Sequence, residues 1–315
     1  MVKPSKRTIL VGCIGIMIVV CAELFARFNL GLGDPPILAP DSDIDYIFAP
    51  NQRCNRFGSR IVYNNCSMRC DFDCVVGESP DRKRIFVVWD SVVNGGSLTD
   101  HKNLATTIMQ EKLDPSRSKI QVCNVSAGSW GPGNYIAYFR RYQALVGTND
   151  VLVVELNSHD LWEDDPRLTG GANVGKDIAC PNRKPCCALS DGFRRYFMPR
   201  LRRSLGMAVI NTKVDVPRWE KDVHSASAEF NLAALTALYE LPVCKRYLLV
   251  HRTREETKND VESVGETAFR NFAASKGIPI IDLKLNDKDD FRDEIHLNES
   301  GQLKMASAIG NALVK

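Results

Sequence analysis

The chain is 315 residues long, 44% apolar and 25% charged, with a formal net charge of +3. That length holds one sizeable α/β domain with appendages or two small domains, and the composition excludes wholesale disorder. The small net charge excludes a strong field for polyanions, and with no nucleic-acid motif beside it no nucleic-acid partner is expected.

Lys3, Lys6 and Arg7 precede a charge-free apolar run from Thr8 to Ala22, which Glu23 interrupts before Leu24-Phe25-Ala26. A positive flank followed by an apolar stretch reads as a secretion signal or a signal anchor. The run is short for a spanning helix. Glu23 sits near one end and can reach the interface, extending the span to Phe28. No small-x-small cleavage site follows, and Val20 before Cys21 is bulky for a lipoprotein-type site. Residues 1–30 are therefore expected to be an uncleaved membrane anchor with a cytoplasmic N-terminus. The remainder is then extracytoplasmic, periplasmic or at the cell surface.

Residues 31–80 are rich in Pro, Asn and Asp and read as a loop-rich stalk with one short hairpin around Gly58 to Tyr63. Of eleven cysteines, two fall in the anchor. Cys54, Cys66, Cys70 and Cys74 crowd one segment, and Cys180, Cys186 and Cys187 another. An oxidising compartment permits disulfides within each cluster, with connectivity left open. The even spacing of Cys66, Cys70 and Cys74 is not a CxxC knuckle and has no histidine nearby, so no metal is expected.

Order begins at residue 81. Continuous apolar runs predict strands over 84–90, 120–125, 151–156, 246–250 and 278–283. Helices are expected over 104–112, 135–145, 226–239 and 261–274, and from 299 onwards. Residues 161–222 form an irregular insertion. It carries Arg194, Arg195, Arg200, Arg202 and Arg203 interleaved with Tyr196, Phe197 and Leu201. That cluster is either a solvated helix face or a contact with a membrane surface or an anionic glycan. Strands alternating with helices imply a parallel sheet covered on both faces, whose functional loops follow the strand C-termini.

The polar candidates lie in those loops. Ser91 follows the first predicted strand, where it can serve as a nucleophile or as a plain helix N-cap. Residues 126–133 follow the second strand and Asn157 to Asp160 the third. Near the chain end, Asp293 precedes His296 by three residues. That spacing lets the carboxylate hold one imidazole nitrogen while the other takes a proton from a nucleophile. In Trp130-Gly131-Pro132-Gly133 the indole can either face a sugar ring or pack inward. His101, His224 and His251 suggest no role.

Asp90-Ser91 with Gly95-Gly96, Asn124-Val125-Ser126-Ala127-Gly128-Ser129, His159-Asp160 and Asp293-x-x-His296 together resemble the four sequence blocks of the SGNH (GDSL-like) hydrolase superfamily. The resemblance covers about residues 84–315 and is best in the last block. It implies a three-layer α/β/α flavodoxin-like fold with a five-stranded parallel sheet, and cofactor-free ester hydrolysis or acyl transfer. It makes Ser91 the nucleophile, His296 the general base and Asp293 its orienter. The oxyanion hole would use the Ser91 amide, a second-block amide at Ser129 or Gly128, and a third-block side chain at His159 or Asn157. Three positions depart from the family pattern. Trp89 replaces the glycine before Asp-Ser, Ser129 the second-block glycine, and His159 the third-block asparagine.

The expected protein is a membrane-anchored serine esterase or O-acyltransferase acting on acyl esters, acetyl foremost, of small molecules or envelope glycans. The rival is a degenerate SGNH-fold glycan-binding or scaffold module. A nucleotide-binding sheet is disfavoured, because no Gly-rich phosphate loop follows the first strand.

Overall fold

The computed structural model describes residues 5–75, 77, 81–163, 165–168, 183–204 and 226–314. Helix α1 (Lys6–Leu24) runs into a π-helical turn at Phe25–Asn29. The segment Ile9–Asn29 has a mean hydropathy of 2.6 and is long and apolar enough to cross a membrane. Its side chains are largely exposed, because nothing in the described chain covers them.

Two antiparallel hairpins follow: β1 (Leu38–Asp41) with β2 (Asp45–Phe48), and β3 (Gln52–Arg56) with β4 (Ser59–Tyr63). The second closes through Phe57 and Gly58, both at positive φ (50° and 81°), the geometry of a two-residue turn that matches strand twist. Where composition predicts a stalk, these hairpins pack against the rest of the molecule. Ile44, Ile47, Cys66, Met68 and Cys70 join the main core, and Phe48 stacks on Tyr63 at 4.0 Å. Composition misleads here because Pro, Asn and Asp break the apolar residues into short runs, yet among the described residues of this segment only Phe57 and Val75 are exposed large hydrophobics. Cys66 and Cys74 are disulfide-bonded, while Cys54 and Cys70 are free and buried. Cys180 lies outside the described residues.

The main domain then alternates. Strand β5 (Lys83–Trp89) leads to the single turn α2 (Ser91–Asn94) and to α3 (Ala105–Leu113). Strand β6 (Ile120–Ser126) precedes α4 (Pro132–Arg141). Strand β7 (Val151–Leu156) precedes α5 (Ala188–Gly192), α6 (Met198–Ser204) and α7 (Ala226–Tyr239). Strand β8 (Lys245–Val250) precedes α8 (Arg254–Asn259) and α9 (Val264–Lys276), and β9 (Ile280–Asp282) precedes α10 (Glu299–Val314). Helix α4 begins three residues before its expected start, because Pro132 at its first turn presets a helical φ and Gly131 caps it.

All five strands are parallel, in the order β6-β5-β7-β8-β9. Counted within the sheet this is 2-1-3-4-5, the flavodoxin-like doubly wound order. Helices α3 and α10 pack together on one face, and α4, α7 and α9 cover the other. The fold is therefore the expected three-layer α/β/α arrangement. Ile85 to Trp89 and every residue of β7 are buried, as strands covered on both faces must be. In this order the chain reverses direction about β5, so the loops after β5, β6 and β7 open onto one crevice.

Candidate active site

Ser91 sits where β5 ends. Asp90 caps the turn α2, its carboxylate accepting from the Val92 amide at 2.8 Å. Gly95 closes the turn at φ +72°, and a Cβ there would strike Leu104 and Thr99. Ser91 is thus the first residue of a one-turn helix, half exposed and lifted above the sheet edge.

Asp293 and His296 lie in the loop between β9 and α10, pinched shut by a bridge from Phe291 to Leu297. Beneath it, buried Asp290 accepts from Lys304 at 2.6 Å and from Ser300 at 2.7 Å. His296 Nδ1 lies 2.9 Å from Asp293 Oδ2, and His296 Nε2 lies 2.9 Å from Ser91 Oγ. Asp293 also accepts from the His296 amide at 2.8 Å, which ties carboxylate and ring to one backbone turn. The structure therefore brings the Asp293–His296 pair onto Ser91, although Ser91 and His296 are 205 positions apart in the sequence.

The electrostatics follow from this geometry. Partial burial drives the His296 pKa down, but the hydrogen bond and charge of Asp293, aided by Asp90, outweigh it and leave the pKa raised. Burial also opposes ionisation of Asp293, yet its bonds to His296 hold it down at about 2. Asp90 is pushed up to about 6 by burial, against the pull of the Val92 amide.

Gly128 lies beside Ser91: a Cβ there would come within 4.0 Å of Ser91 Cβ. Its carbonyl accepts from the Tyr46 hydroxyl, and Ser129 follows in the left-handed region at φ 55°. His159 is half buried at the end of β7, and desolvation lowers its pKa, so its imidazole is neutral near pH 7. Asn157 is buried, with its side-chain oxygen accepting from the His159 amide at 2.7 Å, the role of a cap.

Trp89 points into the core. It is fully buried, its indole N–H donates to Asp160 at 2.8 Å, and its ring lies 5.0 Å from His251. Glu155 and His251 face each other nearby at 3.2 Å, both wholly buried. Burial raises Glu155 and Asp160 far above the carboxylate range and lowers His251 to about 3, so all three favour their neutral forms. Trp130 is also buried, donating to the Tyr46 carbonyl at 3.1 Å, which removes it as a sugar platform.

Several positioning residues carry no local sequence signal. Arg69 is buried and donates to the carbonyls of Asn94, Gly96 and Thr99, fixing the loop after Ser91. Gln302 on α10 donates to Val92 and accepts from the Ala105 amide, both at 2.8 Å, clamping the Ser91 turn to the histidine-bearing end of the chain. Asn94 donates to Ser126 at 2.9 Å and accepts from Tyr63 at 3.1 Å. A cavity of about 570 Å³ between α4 and α7, lined by Arg140, Arg141 and Phe230, includes none of the three site residues. Among the described residues, no group of three or more His, Cys, Asp or Glu side chains is placed to hold a metal ion.

No family model matches the chain, and no curated protein matches it. Among solved structures, a lipolytic protein of the G-D-S-L family from Veillonella parvula is similar over 74% of this chain and 99% of its own, at 11% identity and a TM-score of 0.43. An acetyl xylan esterase aligns over 73% of this chain and 99% of its own, at 18% identity and a TM-score of 0.43. Another, from Geobacillus stearothermophilus, covers 74% and 94%, at 12% identity and a TM-score of 0.38.

Proposed function

We propose that this chain is an ester hydrolase of the SGNH type, working through Ser91, His296 and Asp293. One observation carries the reading. A half-exposed serine at the sheet's C-terminal edge is within hydrogen-bond reach of an imidazole whose other nitrogen is held by a carboxylate, both at 2.9 Å. A serine that served only as a helix N-cap would need no such partner, and here Asp90 does the capping.

In this reading Ser91 Oγ attacks the ester carbonyl while His296 Nε2 takes its proton. Asp293 stabilises the imidazolium that forms. The tetrahedral oxyanion is met by the Ser91 amide, an amide at Gly128 or Ser129, and the neutral imidazole of His159 as third donor. His296 then returns the proton to the leaving alcohol, and a water attacks the acyl-enzyme. Small acyl esters, acetyl first, are the proposed substrates. A sugar hydroxyl in place of water would make the same site an O-acyltransferase for envelope glycans. Residues 1–30 are proposed as the membrane anchor, with the catalytic domain outside the cytoplasm.

The test is covalent labelling by a fluorophosphonate together with turnover of a nitrophenyl acetate. Wild type is expected to do both. Ser91→Ala is expected to lose the label and at least about 10⁴-fold in kcat. Equal turnover in the two proteins would overturn the proposal, and so would a folded wild type that neither labels nor turns over.

A further inference from the structure

Helix α5, a π-helical turn at Phe193–Phe197 and α6 run without a break from Ala188 to Ser204. The catalytic reading uses none of these residues. We propose that this helix is a membrane-interface platform, its outer face seated in the headgroup region of the bilayer that α1 crosses. The proposal rests on reading residues 1–30 as an anchor.

The first support is where the helix docks. Glu23 is the acid that ends the charge-free apolar run Thr8–Ala22, and its carboxylate oxygens accept from the amides of Ala188 and Leu189 at 2.8 and 2.9 Å. Arg27 pairs with Glu23 at 2.8 Å and donates to the Cys186 carbonyl at 2.7 Å. The start of the 188–204 helix is thereby locked to α1 at the level of Glu23. Ala26, Leu32 and Ala188 form a small apolar seam there, with Tyr196 packed against it.

The second support is depth. A span from Thr8 to Phe28 at 1.5 Å per residue is about 30 Å long, the thickness of a hydrocarbon core. Glu23 lies five residues before Phe28, about 7 Å below that end. An interfacial helix buries its apolar face by about 5–10 Å. The docking point therefore sits at the depth an interfacial helix needs.

The third support is the face itself. Phe193, Phe197 and Leu201 recur every fourth residue and are 50%, 53% and 36% exposed, with the two phenyl rings stacked at 5.0 Å. Arg194 and Arg200 flank them and are exposed. The opposite face is spoken for: Tyr196 accepts from Arg56 at 2.6 Å, and Arg195 pairs with Asp191. Phe25 and Phe28, in the turn that follows α1, are exposed as well. Apolar rings between arginines suit the boundary of acyl chains and anionic phospholipid headgroups.

The test uses the full chain in vesicles of phosphatidylcholine and phosphatidylglycerol that carry a phospholipid with a diazirine high on its acyl chain. After irradiation, adducts are mapped by peptide mass spectrometry. Adducts are expected on Phe193, Phe197 or Leu201 as well as on α1. A chain that carbonate strips from the vesicles overturns the anchor reading and the platform with it. A chain that stays but gives adducts on α1 alone overturns the platform only, leaving the face for a protein partner. The double variant R194E/R200E should lower the 193–201 adducts at least about fivefold relative to those on α1, and an unmoved ratio overturns the lipid-headgroup role of the arginines.

Discussion

The two halves of the candidate site are built differently. The Ser91 turn is fastened from beneath by buried groups, each 2% exposed or less: Arg69 and Gln302 bond the backbone of α2 or the loop after it, and Asn94, within α2, bonds Ser126 at the end of β6. The base sits on a surface loop, with the His296 side chain 34% and that of Asp293 53% exposed. The serine is held by the fold, and the histidine by its own carboxylate. A rigid nucleophile with a locally oriented base divides stability from proton transfer, so substitutions on the two halves should separate in what they change.

The largest effect on the base side is expected from Asp293→Asn. It should lower kcat by about 10²–10⁴-fold, because the ring loses the acceptor that fixes its tautomer. It should also move the acid limb of the pH–rate profile. The base must be neutral to work, so activity rises with pH through the pKa of His296, which Asp293 holds above its ordinary value. Removing that charge leaves burial to lower the pKa, and the limb should shift to lower pH. An unshifted limb would detach Asp293 from His296.

On the nucleophile side, Arg69→Met should act through the fold. It leaves three loop carbonyls without their donor and should cost about 3 kcal/mol in denaturant unfolding. The acid limb should stay where it is. A shifted limb with unchanged stability would reverse the assignment of the two halves.

Trp89→Phe tests the layer beneath. Asp160 keeps its bond from the Asn157 amide but loses the indole donor, and unfolding measurements should show a loss of about 1–3 kcal/mol. The smallest effect is expected from Arg292→Ala, which removes a half-exposed bond to Thr99 between the two loops. It should change kcat/KM by less than about fivefold, and a larger loss would show that the base loop depends on the nucleophile loop for its position.

The sheet is legible in the sequence because its central strands β5, β7 and β8 carry unbroken apolar runs (Ile85–Trp89, Val151–Val154 and Tyr247–Val250), and a run buried on both faces leaves little else for those residues to do. The meeting of Ser91 with Asp293 and His296 is legible because its signals are local: a serine at a strand tip, and an acid one helical spacing from a histidine. Arg69, Tyr46 and Gln302 are not legible. Their partners are mostly backbone groups far along the chain, which impose no spacing and leave no pattern. Trp130 stays ambiguous in the sequence because an indole beside Gly-Pro-Gly suits a sugar as well as a core, and only the Tyr46 carbonyl, 84 positions away, decides it. His159 is placed by its loop, but its neutrality comes from burial that no motif encodes.

The hairpin residue Tyr46 braces Gly128 beside the nucleophile, and this changes how far the site can travel. An unfolded linker of about fifty residues between bilayer and sheet would let the domain range over roughly 40 Å. With that stretch folded into the wall of the catalytic crevice, the leash is gone. The proposed anchored esterase would work at a fixed height, on esters that come within a few nanometres of the lipid.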